Sequence, residues 1–143
     1  MAMYRAIAEQ QQDSFRRWQW SVLHQLEVET GTAMRQLLLR HGLPVMESEE
    51  SVRAGLAEAD RIVALPWLDM MEAFADDLPA TIDNYRALER SFAFDDLDAS
   101  ALRFLVDHEV ASLEFAQLEM RGESRVSVNP VLSLLREPPR FPD

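Results

Sequence analysis

The chain has 143 residues, 48% of them hydrophobic and 27% charged, a balance that fits one globular domain with a buried core rather than a disordered segment. Its formal net charge of -11, with acids grouped at 47–50, 76–77 and 95–98, repels phosphate backbones and anionic bilayers, so neither nucleic acid nor membrane is an expected partner. All 14 basic residues are arginine and cysteine is absent, which excludes lysine Schiff bases, a Walker-type lysine, thiolate nucleophiles, cysteine-bound metals and disulfides.

Apolar spacing is helical nearly throughout, with no convincing alternation of period two. Tyr4, Ala8, Phe15, Trp18, Val22 and Leu26 form one stripe, which predicts a first helix over about 3–29. Gly31 is expected to break or bend it. A shorter helical segment follows, stopped by Gly42 as C-terminal cap with Pro44 beyond, and 42–48 reads as a loop. Ser48 is the expected N-cap of a helix carrying Val52, Leu56, Ala59 and Val63.

Pro66 ends that helix and suits the first turn of the next, whose stripe runs Trp67, Met71, Phe74, Leu78, Ile82, Tyr85, Leu88, Phe92. Pro79 predicts a kink or short break after Asp76-Asp77. Asp98 is the expected N-cap of a long helix that stops at Gly122. The segment 121–128 reads as polar, irregular and mobile. Asn129-Pro130 opens a short last helix, and Pro138, Pro139 and Pro142 make 138–143 an extended tail beyond a single domain over 1–137.

These elements predict an all-α fold, an antiparallel helical bundle of four main helices plus short helical segments. Trp20 and Leu23 lie off the main stripe of the first helix, so a second helix or a second subunit must cover them; a homodimer is expected. With no signal segment, no membrane-length apolar run and no cysteine, the expected location is cytoplasmic.

The functional question sits in FLVDHEVASLEF, 104–115. At about 100° per residue, Leu102, Leu105, Val106, Leu113, Ala116 and Met120 share one sector, and Glu109 falls near its centre. His108 lies on the edge of a second apolar flank with Phe104, Ala111 and Phe115. Arg103, Asp107, Glu114 and Gln117 make a narrow solvent face. An enclosed carboxylate must be protonated, paired, or bound to a cation. The candidates for company are Gln11, Gln25 and Glu29 beside the first stripe, Tyr85 on the inner stripe of its own helix, and Asp77 and Thr81 at that stripe's border. His24 and Glu27, three apart, project toward solvent as a surface pair. His41 suits a helix C-terminus.

A bundle with inward glutamates on more than one helix, including the His108-Glu109 pair, resembles the ferritin-like proteins. In that family four helices supply carboxylates and histidines to two metal ions, and the resemblance implies Glu29 and Glu109 as metal ligands, with His108 as a weaker third. The family's Glu-x-x-His pair is absent from the chain, so the resemblance implies a relative without oxidative metal chemistry.

Three functions follow as expectations. The first is a cofactor-free binding or interaction module with an enclosed polar site around Glu109, Glu29, Tyr85 and Gln25, accepting a small, largely apolar molecule or stabilising an assembly. The second is an enzyme with Glu109 as general acid or base, assisted by His108 or Tyr85. The third is a reduced metal site on Glu29 and Glu109. A purely structural role for Glu109, fixing helix register through one buried pair, stands against all three.

Overall fold

A computed structural model of the protein describes residues 2–44, 48–91 and 95–141, and all regular elements among them are helical. In chain order they are α1 (Ala2–Gln10), α2 (Ser14–Arg40), α3 (Glu49–Val63), α4 (Trp67–Ala75), α5 (Leu78–Ser91), α6 (Asp96–Met120) and the short α7 (Asn129–Leu132). Phe92 of the second stripe, 45–47 of the first loop and Pro142 of the tail lie outside the described residues.

The predicted first helix is two helices. Asp13 adopts extended backbone and its carboxylate accepts the Arg16 amide at 2.8 Å, the geometry of an N-cap that starts α2 afresh. The Arg17 guanidinium then donates to the Gln11 carbonyl at 2.8 Å, satisfying an oxygen that the end of α1 leaves free. Gly31 breaks nothing, and α2 runs on for 27 residues. One internal glycine costs about 1 kcal/mol relative to alanine, less than the packing of flanking turns supplies.

Other stop and start signals behave as the sequence suggests. Ser48 caps α3 through the Ser51 amide. Pro66 precedes α4, and Pro79 sits in the first turn of α5, where its missing N–H has no helical partner to lose. Gly42 and Gly122 take φ of 68° and 76°. At each, two backbone bonds close a Schellman motif, Leu43 to Leu38 and Gly42 to Leu39, then Glu123 to Leu118 and Gly122 to Glu119. Asp95, rather than Asp98, is the N-cap of α6, accepting the Asp98 amide at 2.8 Å.

The helices close a ring around one core. α1 packs on α2, α2 on α6, α6 on α4, α4 on α3, and α3 back on α1, while α5 lies along α6 and α7 braces α6 and α2. Trp20 stands at the centre, fully buried, with Tyr4 stacked at 6.0 Å and with Phe74 and Phe115 edge-on at 5.2 and 6.1 Å. Such ring pairs add about 0.5–1.5 kcal/mol each beyond their area. Trp20 and Leu23 are thus covered by the chain's own helices, and that apolar side makes no demand for a second subunit. The tail docks as well: the Trp18 indole donates to the Pro139 carbonyl at 3.1 Å, and Phe141 packs edge-on against Trp18.

Two glycines test this account in opposite directions. Gly55 lies inside α3, and a Cβ there would meet Met3 at an ordinary 3.7 Å; Gly55→Ala is expected to stabilise the fold by about 0.5–1 kcal/mol. Gly122→Ala places a side chain at positive φ and is expected to cost about 1 kcal/mol or more. Urea denaturation of both variants reads the two signs.

Candidate functional site

α2 and α6 run antiparallel, and their seam carries three polar rungs. At one end Asp98, nearly buried, accepts Arg40 Nε at 3.0 Å while His41 Nε2 lies 2.5 Å from its other oxygen. Those hydrogen bonds, Arg40's first, hold the Asp98 carboxyl below the usual range.

At the other end Glu119 is 2% exposed and accepts four donors. Gln19 Nε2 and Ser127 Oγ reach Oε1 at 2.5 Å each, and Ser124 Oγ and Trp67 Nε1 reach Oε2 at 2.7 and 2.9 Å. Four donors and no competing acceptor match what a carboxylate can take. The segment expected to be irregular and mobile is therefore pinned: Ser127 and Val128 are buried in it.

The middle rung is different. His108 is buried, its Nδ1 sharing a 2.9 Å hydrogen bond with Thr30 Oγ1, and its Nε2 stands 3.7 Å from Glu27 Oε2. Burial lowers the His108 pKa, and the Glu27 charge opposes that only in part. One residue along, Glu109 is half-buried. Its carboxyl is pushed up to about 7, first by burial and then by the charge of Glu27. Among the described residues, no hydrogen bond or ion pair reaches the Glu109 carboxyl.

Two tyrosines share this field. Tyr85 of α5 is half-buried and its hydroxyl is held above its usual range by burial, then Glu109, then Glu27. Tyr4 of α1 is raised by burial, then Glu27, then Glu109. His24, half-buried on α2, is lowered by burial and next by Arg5. The centre of the fold thus gathers Tyr4, Glu27, Thr30, Tyr85, His108 and Glu109 from four helices.

Of the residues singled out in the sequence, His108, Glu109 and Tyr85 come together. Glu29 and Gln25 do not join them. Gln25 Nε2 donates to Glu29 Oε1 at 3.2 Å, and the Arg136 amide donates to the other Glu29 oxygen at 3.2 Å, beside a shallow cleft of about 140 Å³ with Phe104. Glu27 and Glu29 stand about 200° apart on the helix, so the second carboxylate of the centre is Glu27, and the sequence-stripe assignment of His24 and Glu27 to solvent is corrected. Among the described residues, no three His, Asp or Glu side chains converge closely enough to hold a metal ion.

Sequence reasoning missed Tyr4, Glu27 and Thr30 at the centre and Glu119 at the end. One signal was available: Glu119 follows His108 by eleven residues, about three full turns, and so shares its side of α6. Comparison with known proteins finds no family model, no curated protein and no solved structure that matches the chain.

The two rungs carry measurable consequences. Glu119→Ala removes the shared acceptor of four side-chain donors, leaving Ser124 Oγ and Trp67 Nε1 without one, and is expected to cost about 2–4 kcal/mol by urea denaturation. For Glu109, the folded chain keeps a proton that the unfolded chain has lost from about pH 4.5 upward, so stability falls as pH rises from there to about 7. His108 acts oppositely: its folded value is depressed, so stability is lost as pH falls below about 6.5. Glu109→Gln is expected to add on the order of 1–2 kcal/mol at pH 8, with screening by partial exposure allowed for, and little at pH 4. Denaturant titrations at the two pH values check it.

Proposed function

We propose that the protein is a binding module whose site is the polar centre around Glu109, and that its ligand is a small, largely apolar molecule carrying one protonated amine. The observation that carries this reading is the Glu109 carboxyl itself, half-buried, pushed up to about 7 beside a second carboxylate, and met by no hydrogen bond among the described residues. A carboxyl in that condition is stabilised by a proton or by a cation. An ammonium group replaces the proton and supplies the positive charge that the two neighbouring carboxyls favour. The ferritin-like resemblance stays at the level of architecture: helices present acids to a shared centre, with the ligand taking the place of metal.

A second reading, general acid–base catalysis by Glu109, draws on the same carboxyl, because a group near 7 exchanges protons efficiently at neutral pH. Native mass spectrometry of protein purified without chelators separates the two, since a retained amine favours binding and a substrate–product pair of masses favours turnover.

The direct test is calorimetry with benzylamine and hexylamine, with benzyl alcohol and hexanoate as neutral and anionic controls. The amines are expected to bind with release of a fraction of a proton at pH 7, seen as buffer-dependent heat, and Glu109→Gln is expected to weaken them about tenfold or more. Equal binding of benzyl alcohol, or equal affinity in the variant, would sink the reading.

A further inference from the structure

A second site lies away from Glu109, where the end of α1, the start of α2 and the turn between α3 and α4 meet. A cleft of about 270 Å³ opens there, with Val63, Leu65 and Met70 as its apolar surface and Arg16 and Trp67 as its polar and aromatic walls. We propose that this cleft binds a small monocarboxylate with an apolar body.

Arg16 is the recognition group. Its guanidinium lies 4.3 Å from the centroid of the Trp67 ring, a stacking arrangement that fixes the plane of its donors. Among the described residues it makes no ion pair with any acid, whereas Arg5, Arg40, Arg61, Arg103 and Arg121 each do. What sets Arg16 apart is its place, stacked on Trp67 at the wall of the cleft. Its planar fork of donors matches the two oxygens of a carboxylate.

Trp67 is the rigid wall. Its indole N–H donates to Glu119 at 2.9 Å, and Glu119 is held in turn by Gln19, Ser124 and Ser127. Because that carboxylate is buried and takes three further donors, the indole cannot rotate without leaving a buried acceptor short of a partner. The stack that aims Arg16 is therefore fixed from inside the core, a pre-organisation that lowers the entropic cost of binding.

The remaining wall sets the ligand's charge. Asp13 lines the cleft together with the amide residues Gln10, Gln11 and Gln12, its carboxylate engaged by the Arg16 amide at the N-terminus of α2. A fixed negative charge beside one guanidinium tolerates one carboxylate and penalises a phosphate or a dicarboxylate. The volume lies at the small end for ligand sites, and the apolar surface fits a branched or aromatic body.

The experiment is a titration of the full ¹⁵N-labelled chain, following the Trp67 indole N–H resonance, assigned by its loss in Trp67→Phe. Benzoate and 3-methylbutanoate are the probes, with benzamide, benzylamine and inorganic phosphate as controls. Both carboxylates are expected to shift that resonance to saturation at low-millimolar concentration or below, and Arg16→Gln to weaken benzoate about tenfold or more. Arg16 is exposed, so the variant should keep its thermal unfolding midpoint, which is measured alongside. Benzamide or phosphate binding as well as benzoate, unchanged benzoate affinity in Arg16→Gln, or no shift up to about 20 mM would each overturn the proposal.

Discussion

The seam between α2 and α6 is the constraint on which the rest of the molecule depends. Its three rungs recur with the helical period: Gln19, Thr30 and His41 are eleven residues apart on α2, and Glu119 follows His108 by eleven on α6, with Asp98 ten before it. Eleven residues are about three turns, so Gln19, Thr30 and His41 share one side of α2 and its C-cap, and His108 and Glu119 one side of α6, with Asp98 about 80° round in its first turn. The partners pair in opposite order, Gln19 with Glu119, Thr30 with His108, and His41 with Asp98. A slip of one residue would unpair every rung and bury the stranded groups, which is why polar pairs inside a seam specify register more sharply than apolar packing does. With α2 and α6 fixed, α1 and α3 complete one side of the ring and α4 and α5 the other.

The rungs differ in how fully they are satisfied. Asp98 meets an arginine and a histidine, and Glu119 meets four donors. The middle rung gives His108 one short hydrogen bond and leaves its other nitrogen 3.7 Å from Glu27. Among the described residues, the buried Ser112 hydroxyl one turn further along α6 and Gln19 Oε1 at the Glu119 end also lack a hydrogen-bond partner. The carboxylates at the two ends of the seam are thus well supplied with partners, while Glu109 beside the middle rung is not.

How much of this was legible in the sequence depends on the range of the interaction. Local rules served well: helical periodicity, the stops at Gly42 and Gly122, the cap at Ser48, the break after Asp77 and the solvent face of α6 are all set within one or two turns. The break at Asp13 was hidden because the apolar stripe continues across it. Within α2 the stripe through Phe15 and Trp18 misplaces the buried side, which is centred further round on Gln19, Trp20 and Leu23, and that is why Glu27 is read as outward and Glu29 as inward. Glu119 escaped for another reason. It follows the exposed Glu114 and Gln117, and what draws it inside is remote: Gln19, a hundred residues earlier, and Trp67 on a different helix. Glu109 was found because its surroundings on α6 itself are apolar.

The same contrast bears on why Glu109 stands where it does. This chain has the means to satisfy buried acids, since it brings Arg40 and His41 to Asp98 and four hydrogen-bond donors to Glu119. With 14 arginines available, none is placed on Glu109. A leucine at that position would continue the apolar sector of α6 and remove the repulsion from Glu27, so the carboxyl costs stability that the fold does not require. Local departures from otherwise consistent packing are where function is sought first. The proposed ligand rests on that departure at Glu109, an acid half-buried among apolar neighbours on α6 and raised by burial and Glu27.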